Sequence, residues 1–226
     1  FEIKKNHKTK KSMKIVMYHY VRDYENTRYP YIKGLDVKDF EFQIQYLNSK
    51  YNILNPKEIH RIVEKGKNFK TKDCWLTFDD GYIDHYNYVL PLLERYKLKA
   101  SFFPPVLTTQ HKTVLDFNKI HFVLASNNNH DFILNEIKEI YVKLNLNNKY
   151  GPFSSFIKKI DTNNPREKYG KIPDSSNITL IKRLLQHVLP KDIRKKICEF
   201  LFKKYVSDDL SLFAKKLYMN LSQINE

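Results

Sequence analysis

The seven residues from Leu76 to Tyr82, LTFDDGY, constrain the fold more than any other part of this chain. The run Trp75-Leu76-Thr77-Phe78 has the aromatic and β-branched content of a buried strand. It stops abruptly at two adjacent carboxylates, Asp79 and Asp80, followed by Gly81. Neighbouring aspartates repel each other unless a cation or a shared proton compensates. A strand ending this way therefore predicts a site at its C-terminal mouth, where α/β folds bind ligands.

The flanks alternate in the manner of an α/β chain. Lys14 to Tyr20 reads as a strand, and a Tyr-rich loop follows to Leu35. Asp36 then caps a helix with Phe40, Ile44 and Leu47 on its apolar face, and Asp39 lies in its acidic first turn. Tyr51 to Leu54 reads as a short strand, Asn55-Pro56 opens a second helix containing Glu58, and Gly66 ends it. After the motif, Asp84 caps a helix to Tyr96 that Pro91 bends or restarts, and a strand follows at Ser101. These βα units predict the start of a parallel barrel.

From about Val106 the pattern changes. Glycine almost disappears, and helical periodicity dominates at Phe132 to Leu144, Ile178 to Val188 and Asp192 to Tyr205. Asn127 to Asn129 and Asp161 to Pro165 are loop-like. The expected organisation is a basic disordered tail over 1–12, a β/α portion over 13–107 and a mainly helical insertion over 108–226.

The net charge of +15 is spread evenly: 20 basic and 13 acidic residues precede residue 108, and 20 and 12 follow. Lysine outnumbers arginine 33 to 7, whereas nucleic-acid modules concentrate charge and favour arginine for bidentate contacts. A solvated basic surface is the better reading, and no nucleic-acid partner is expected. Cys74 and Cys198 match no metal or redox spacing, and Cys74 reads as a small buried hydrophobe. No apolar run reaches the eighteen residues needed to span a bilayer, and no signal peptide is visible. The expected location is cytoplasmic.

LTFDDGY also resembles the first signature of the polysaccharide deacetylases, the NodB-type carbohydrate esterases. Ile15-Val16-Met17-Tyr18-His19 is similar to that family's opening strand, and Lys99-Ala100-Ser101-Phe102-Phe103 to the strand after its first helix. The resemblance covers Met13 to Pro105, a little under half the chain. It implies an α/β fold: an incomplete, distorted (β/α) barrel of NodB type followed by a mainly helical insertion. It also implies a metal-dependent hydrolase that removes acetyl from an N-acetylated sugar. By position, Asp79 would be the general base and Asp80 a ligand of a divalent metal, zinc being the common one. The partner would be an N-acetylated glycan or sugar precursor.

One departure from the family pattern is large. The family completes its metal site with two histidines spaced H-x-x-x-H. The eight histidines here, at 7, 19, 60, 85, 111, 121, 130 and 187, include no such pair. Three or four ligands are needed to hold zinc. The expectation is therefore an N-terminal portion of a longer deacetylase-like protein, inactive alone. A non-catalytic glycan-binding or regulatory remnant is the alternative, and a basic nucleic-acid-binding protein a distant one.

The same residues carry plainer readings. Asp79 and Asp80 would otherwise form a strand-to-helix turn with a capping aspartate. His19, at the end of the first strand, either lines a substrate groove or is a satisfied structural histidine. Tyr82 either stacks on a sugar or packs in the core. His85, His111 and His121 lack partners at ligand spacing, which favours core or surface roles.

Overall fold

The computed structural model describes residues 12–110, 113–160 and 174–226. Residues 1–11 of the expected tail, His7, His111 and the loop expected at 161–165 lie outside them. The chain divides into two compact units: Phe1–Asn26, Lys33–His111 and Lys215–Glu226 form one, and Thr27–Ile32 with Lys112–Ala214 form the other.

The first unit is organised around the motif strand. Its strands are β1 (Lys14–Tyr18), β2 (Val21–Arg22), β3 (Leu35–Asp36), β4 (Asn52–Ile53), β5 (Asp73–Asp79) and β6 (Ser101–Phe103). All pairings are parallel. β5 runs beside β1 in the register Lys14↔Cys74 to Tyr18↔Phe78, and it also pairs with β4 and β6. β2 and β3 form a separate two-stranded pair.

Period-two alternation sets what β5 buries. Cys74, Leu76 and Phe78 are fully buried on one face, in a cluster with Tyr18, Val21, Phe40, Ile44, Val89, Leu92 and Leu93. Phe78 is stacked between Tyr18 and Phe102 at 5.1 and 4.9 Å, with Phe40 edge-on to both Phe78 and Tyr18. Each such side chain contributes about 1.5–3 kcal/mol by leaving water. Trp75, Thr77 and Asp79 occupy the alternate positions, and the Trp75 indole donates to Ser101 Oγ at 3.0 Å. On β1, Ile15 and Met17 remain 57% and 59% exposed.

The helices begin where their caps dictate. Asp36 accepts from the Lys38 amide at the start of α1 (Val37–Lys50), which buries Phe40 and Ile44. Asn55 and Glu58 form a reciprocal capping box on α2 (Pro56–Glu64).

The expected helix over 84–96 is split. His85–Val89 forms one wide π-helical turn, closed by the Leu90 amide bonding back to the His85 carbonyl, before α3 (Leu90–Arg95). Pro91 explains this, because it has no N–H for the carbonyl four residues back. Asp84 precedes the turn but makes no side-chain cap bond. It pairs instead with Arg22, at 3.3 Å. The strand expected over 14–20 ends at Tyr18, and β2 resumes at Val21.

After α4 (Val106–Thr109), the second unit is helical. It contains α5 (Asp116–Ser126), α6 (His130–Lys143), α7 (Leu146–Tyr150), α8 (Phe153–Ile157), α9 (Ser176–Arg183) and α10 (Lys191–Tyr205). A π-helical turn over Leu184–Val188 extends α9. α11 (Leu210–Leu217) crosses the boundary, and α12 (Leu221–Asn225) lies in the first unit. Within the second unit, Phe213 sits edge-on to both Phe122 and Phe202. Tyr141 is fully buried and donates to the Gly151 carbonyl. Among the described residues, no helix is long and apolar enough to cross a membrane.

Candidate functional site

The chain turns sharply where β5 ends. Asp80 has φ +72 and Gly81 φ +64, so two consecutive residues occupy the left-handed region. Aspartate is among the few residues that tolerate it. Position 81 is more restricted, because a Cβ there would meet Pro104 Cβ at 2.6 Å. A side chain at Gly81 is thus opposed by backbone strain and by space together. The glycine lets the chain double back against Pro104 while Asp79 and Asp80 stay at the strand mouth.

His19 follows β1, the neighbour of β5, and its Nε2 lies 4.0 Å from Asp79 Oδ2. Both side chains are partly exposed, at 46% and 32%, so this edge of the site is open to solvent. Asp80 sits deeper. Burial raises its pKa above the usual carboxylate range, opposed by a hydrogen bond from Tyr82 and by nearby His19 and reinforced by the Asp79 charge. Asp79, Asp80 and His19 are therefore brought together at one mouth.

Tyr82 is placed differently from a sugar-stacking residue. It is fully buried, its ring stacked on Tyr20 at 4.1 Å and parallel to Tyr218 at 6.0 Å. Its hydroxyl donates to Asp80 Oδ2 at 2.9 Å. Tyr218 pairs with Tyr82 as an antiparallel bridge, and the Met219 amide donates to the Gly81 carbonyl at 2.9 Å. The segment containing Tyr218 and Met219 therefore supports the motif turn from behind.

His85 is the residue that periodicity alone could not place. It is fully buried, and its Nε2 lies 2.7 Å from the His19 carbonyl. A carbonyl only accepts, so Nε2 carries the proton. Burial lowers the His85 pKa to about 4, keeping the ring neutral, and Nδ1 has no hydrogen-bond partner. Beside it, burial raises the Asp84 pKa while Arg22 pulls it down. The cue for His85 is its place three residues after Tyr82, where its amide bonds back to the Tyr82 carbonyl as the helical segment begins. Nothing in the sequence pointed to Tyr218 and Met219.

Comparison with known proteins agrees with this picture. Residues 66–112 match the family model described as polysaccharide deacetylase. A Bacillus subtilis (strain 168) protein named "Putative polysaccharide deacetylase YxkH" is 34% identical over 108 residues, covering 46% of this chain and 37% of that protein. Residues 66–112 are thus similar to the polysaccharide deacetylase family. The chain spans 37% of the length of that curated relative. Two solved structures are also similar. The Streptococcus pyogenes deacetylase PplD in complex with acetate is 27% identical, covers 40% of each chain and has a TM-score of 0.30. A de-N-acetylase from Aggregatibacter actinomycetemcomitans is 28% identical, covers 41% of this chain and 37% of its own, and has a TM-score of 0.32. The family assignment rests on the sequence matches.

A polysaccharide deacetylase of the expected kind would carry a divalent metal on Asp80. Among the described residues, no three His, Cys, Asp or Glu side chains are grouped to hold one. The Asp80 carboxylate already accepts from Tyr82. His121, a residue of α5, lies in the other unit. The described donors do not make a zinc site.

Proposed function

We propose that this chain is the N-terminal portion of a hydrolase that removes acetyl from an N-acetylated glycan, with Asp79 as general base. The observation that carries the reading is the mouth of β5, where Asp79, Asp80 and His19 converge on a strand end matched by the polysaccharide deacetylase model. Asp79 is partly exposed and can reach a water, and its carboxylate is the group to take that water's proton as the oxygen adds to the acetamide carbonyl. The proton taken by Asp79 passes to the nitrogen as the C–N bond breaks, giving acetate and the free amine. His19, exposed beside Asp79, lines the groove where the sugar would lie.

The finer parts of the reading extend it. The family resemblance implies a divalent metal, zinc, on Asp80, and this reading takes the missing ligands from outside the described residues. The described strands form an open sheet, and the reading takes them as part of a distorted (β/α) barrel. The 226 residues alone are then inactive. The lack of a grouped ligand set also favours a second reading, a glycan-binding remnant without turnover.

The test is acetate release from N-acetylglucosamine oligomers by the native gene product recovered from its source cells, beside the 226-residue chain. Turnover by the native product, lost by at least ~100-fold in its Asp79→Asn variant, is the expected result. Normal turnover by that variant removes Asp79 from the role. Oligomer binding with no acetate from any form establishes the glycan-binding reading instead.

A further inference from the structure

Of the two readings of Tyr82, sugar stacking and core packing, its full burial fits the second, and its hydroxyl is bonded to Asp80. Three independent contacts fix its ring. Tyr20 stacks on it, Tyr218 lies parallel to it while bridging to its backbone, and His85 stands edge-on at 5.7 Å. Tyr20 follows His19, which lies beside Asp79, and His85 holds the His19 carbonyl. The enclosed phenol presents its hydroxyl to one oxygen of Asp80, Oδ2, at 2.9 Å.

The backbone at Asp80 makes that bond consequential. A residue at φ +72 is in a sparsely populated conformation, and such geometry persists only where its surroundings over-determine it. Here the surroundings are the Met219 amide on the Gly81 carbonyl, Pro104 against Gly81 and the Tyr82 hydroxyl on the carboxylate. The first two fix the backbone. Only the third reaches the carboxylate itself, and it comes from a side chain with almost no freedom to move.

We propose that Tyr82 is a positioning residue whose buried hydroxyl fixes the rotamer of the Asp80 carboxylate, and so the separation of Asp80 from Asp79. The ring supports the core and the hydroxyl orients the site, so the two roles separate in different variants. Tyr82→Phe keeps the ring between Tyr20 and Tyr218 and removes the hydroxyl. Tyr82→Ala removes both. What the fixed carboxylate accomplishes rests on the deacetylase reading, whereas the bond itself does not.

The experiment therefore has two arms. In the 226-residue chain, the Asp80 side-chain carboxyl carbon is followed by NMR in the wild type and Tyr82→Phe. In the native gene product, kcat and KM for N-acetylglucosamine oligomers are measured for the wild type and Tyr82→Phe. The expected results are a displaced Asp80 carboxyl resonance in Tyr82→Phe, with the backbone spectrum of β5 retained, and kcat lowered between about 10-fold and about 100-fold with KM unchanged. An unmoved Asp80 resonance in Tyr82→Phe overturns the proposal, as does a displaced resonance with wild-type kcat. A rise in KM alone also overturns it, by making Tyr82 a substrate contact. If the wild type shows no turnover, the deacetylase reading fails, and the resonance alone decides whether Tyr82 fixes Asp80.

Discussion

Two buried charges, one in each unit, are compensated in opposite ways. In the first unit, Arg22 and Asp84 are a pair in which both partners are mostly buried, at 15% and 12% side-chain exposure, beside the fully buried His85. In the helical unit, Lys119 is buried at 4%, but its partners Asp116 and Glu199 are 51% and 43% exposed. Lys119 thus delivers its charge to solvated carboxylates at the edge of the helix packing. The first unit encloses both partners of its pair, and the neighbouring His85 holds the carbonyl of His19, whose side chain lies beside Asp79. Enclosed polar groups are expensive unless something requires their geometry, and here Asp84 and His85 fall within residues 66–112, which match the polysaccharide deacetylase model.

The sharpest way to break this comparison is to remove one partner of the enclosed pair. Arg22→Met retains much of the side-chain volume but leaves Asp84 buried without its cation. A loss of about 3–5 kcal/mol in urea denaturation at pH 7 is expected. The sign of the pH effect follows from Asp84, whose folded pKa is already raised by burial and rises further without Arg22. A raised carboxylate pKa gives stability that is present in acid and lost as pH climbs through the folded value. The defect should therefore shrink on acidification. A loss independent of pH would show that Arg22 acts through packing on Tyr20, which its guanidinium overlies at 5.9 Å, and not through Asp84.

A substitution at the turn comes next in size. Gly81→Ala adds a Cβ at φ +64 and drives it toward Pro104. Left-handed strain costs about 1–2 kcal/mol per residue, and overpacking adds about 1–3. A destabilisation near 3 kcal/mol is expected, read as a fall in the urea midpoint. Gly66, also at positive φ (+59), has nothing within 4 Å of a built Cβ. Its alanine variant should show the strain alone, so equal losses at the two positions would remove the role assigned to Pro104.

These two sites also mark what the sequence made legible. The strand, the adjacent carboxylates and the caps at Asp36 and Asn55 are local signals, set within a few residues, and each appears where local chemistry put it. Asp84 also has local cap chemistry, yet it is drawn to Arg22, sixty-two positions earlier in the chain. Tyr82 carries the same lesson. An aromatic beside a carboxylate pair suggests sugar stacking, and only the distant Tyr20 and Tyr218 show that its ring is enclosed. The fold of the motif was readable because it is local. The support beneath the site was not, because Tyr218 and Met219 join it by tertiary pairing that has no sequence periodicity.

Histidine titration separates the units with a smaller effect. His85 is fully buried with a pKa lowered to about 4, while the described histidines of the helical unit, His121, His130 and His187, are not buried. Since the folded His85 pKa is depressed from the ordinary 6.5, its neutral form favours folding above that value. That stability is lost as pH falls from about 6.5 toward about 4. Moving from pH 7 to pH 5 should cost about 2 kcal/mol, from a pKa difference worth 1.36 kcal/mol per unit. His85→Phe should flatten that decline. An unchanged decline in His85→Phe would assign it to other groups.

The smallest expected effect tests the other half of the comparison. Lys119→Met removes a buried cation of the helical unit but retains most of the aliphatic stem. Asp116 and Glu199 stay solvated, so neither becomes an enclosed, uncompensated charge. Replacing a buried charge by an apolar side chain of similar volume is often neutral or stabilising, and a change within about 1 kcal/mol is expected in urea denaturation. The contrast with Arg22→Met is then one of enclosure, since both variants exchange a cation for the same residue. A loss at Lys119 as large as that at Arg22 would mean that the helical unit also depends on a buried charge. The enclosed Arg22–Asp84 pair would then no longer differ in kind from Lys119.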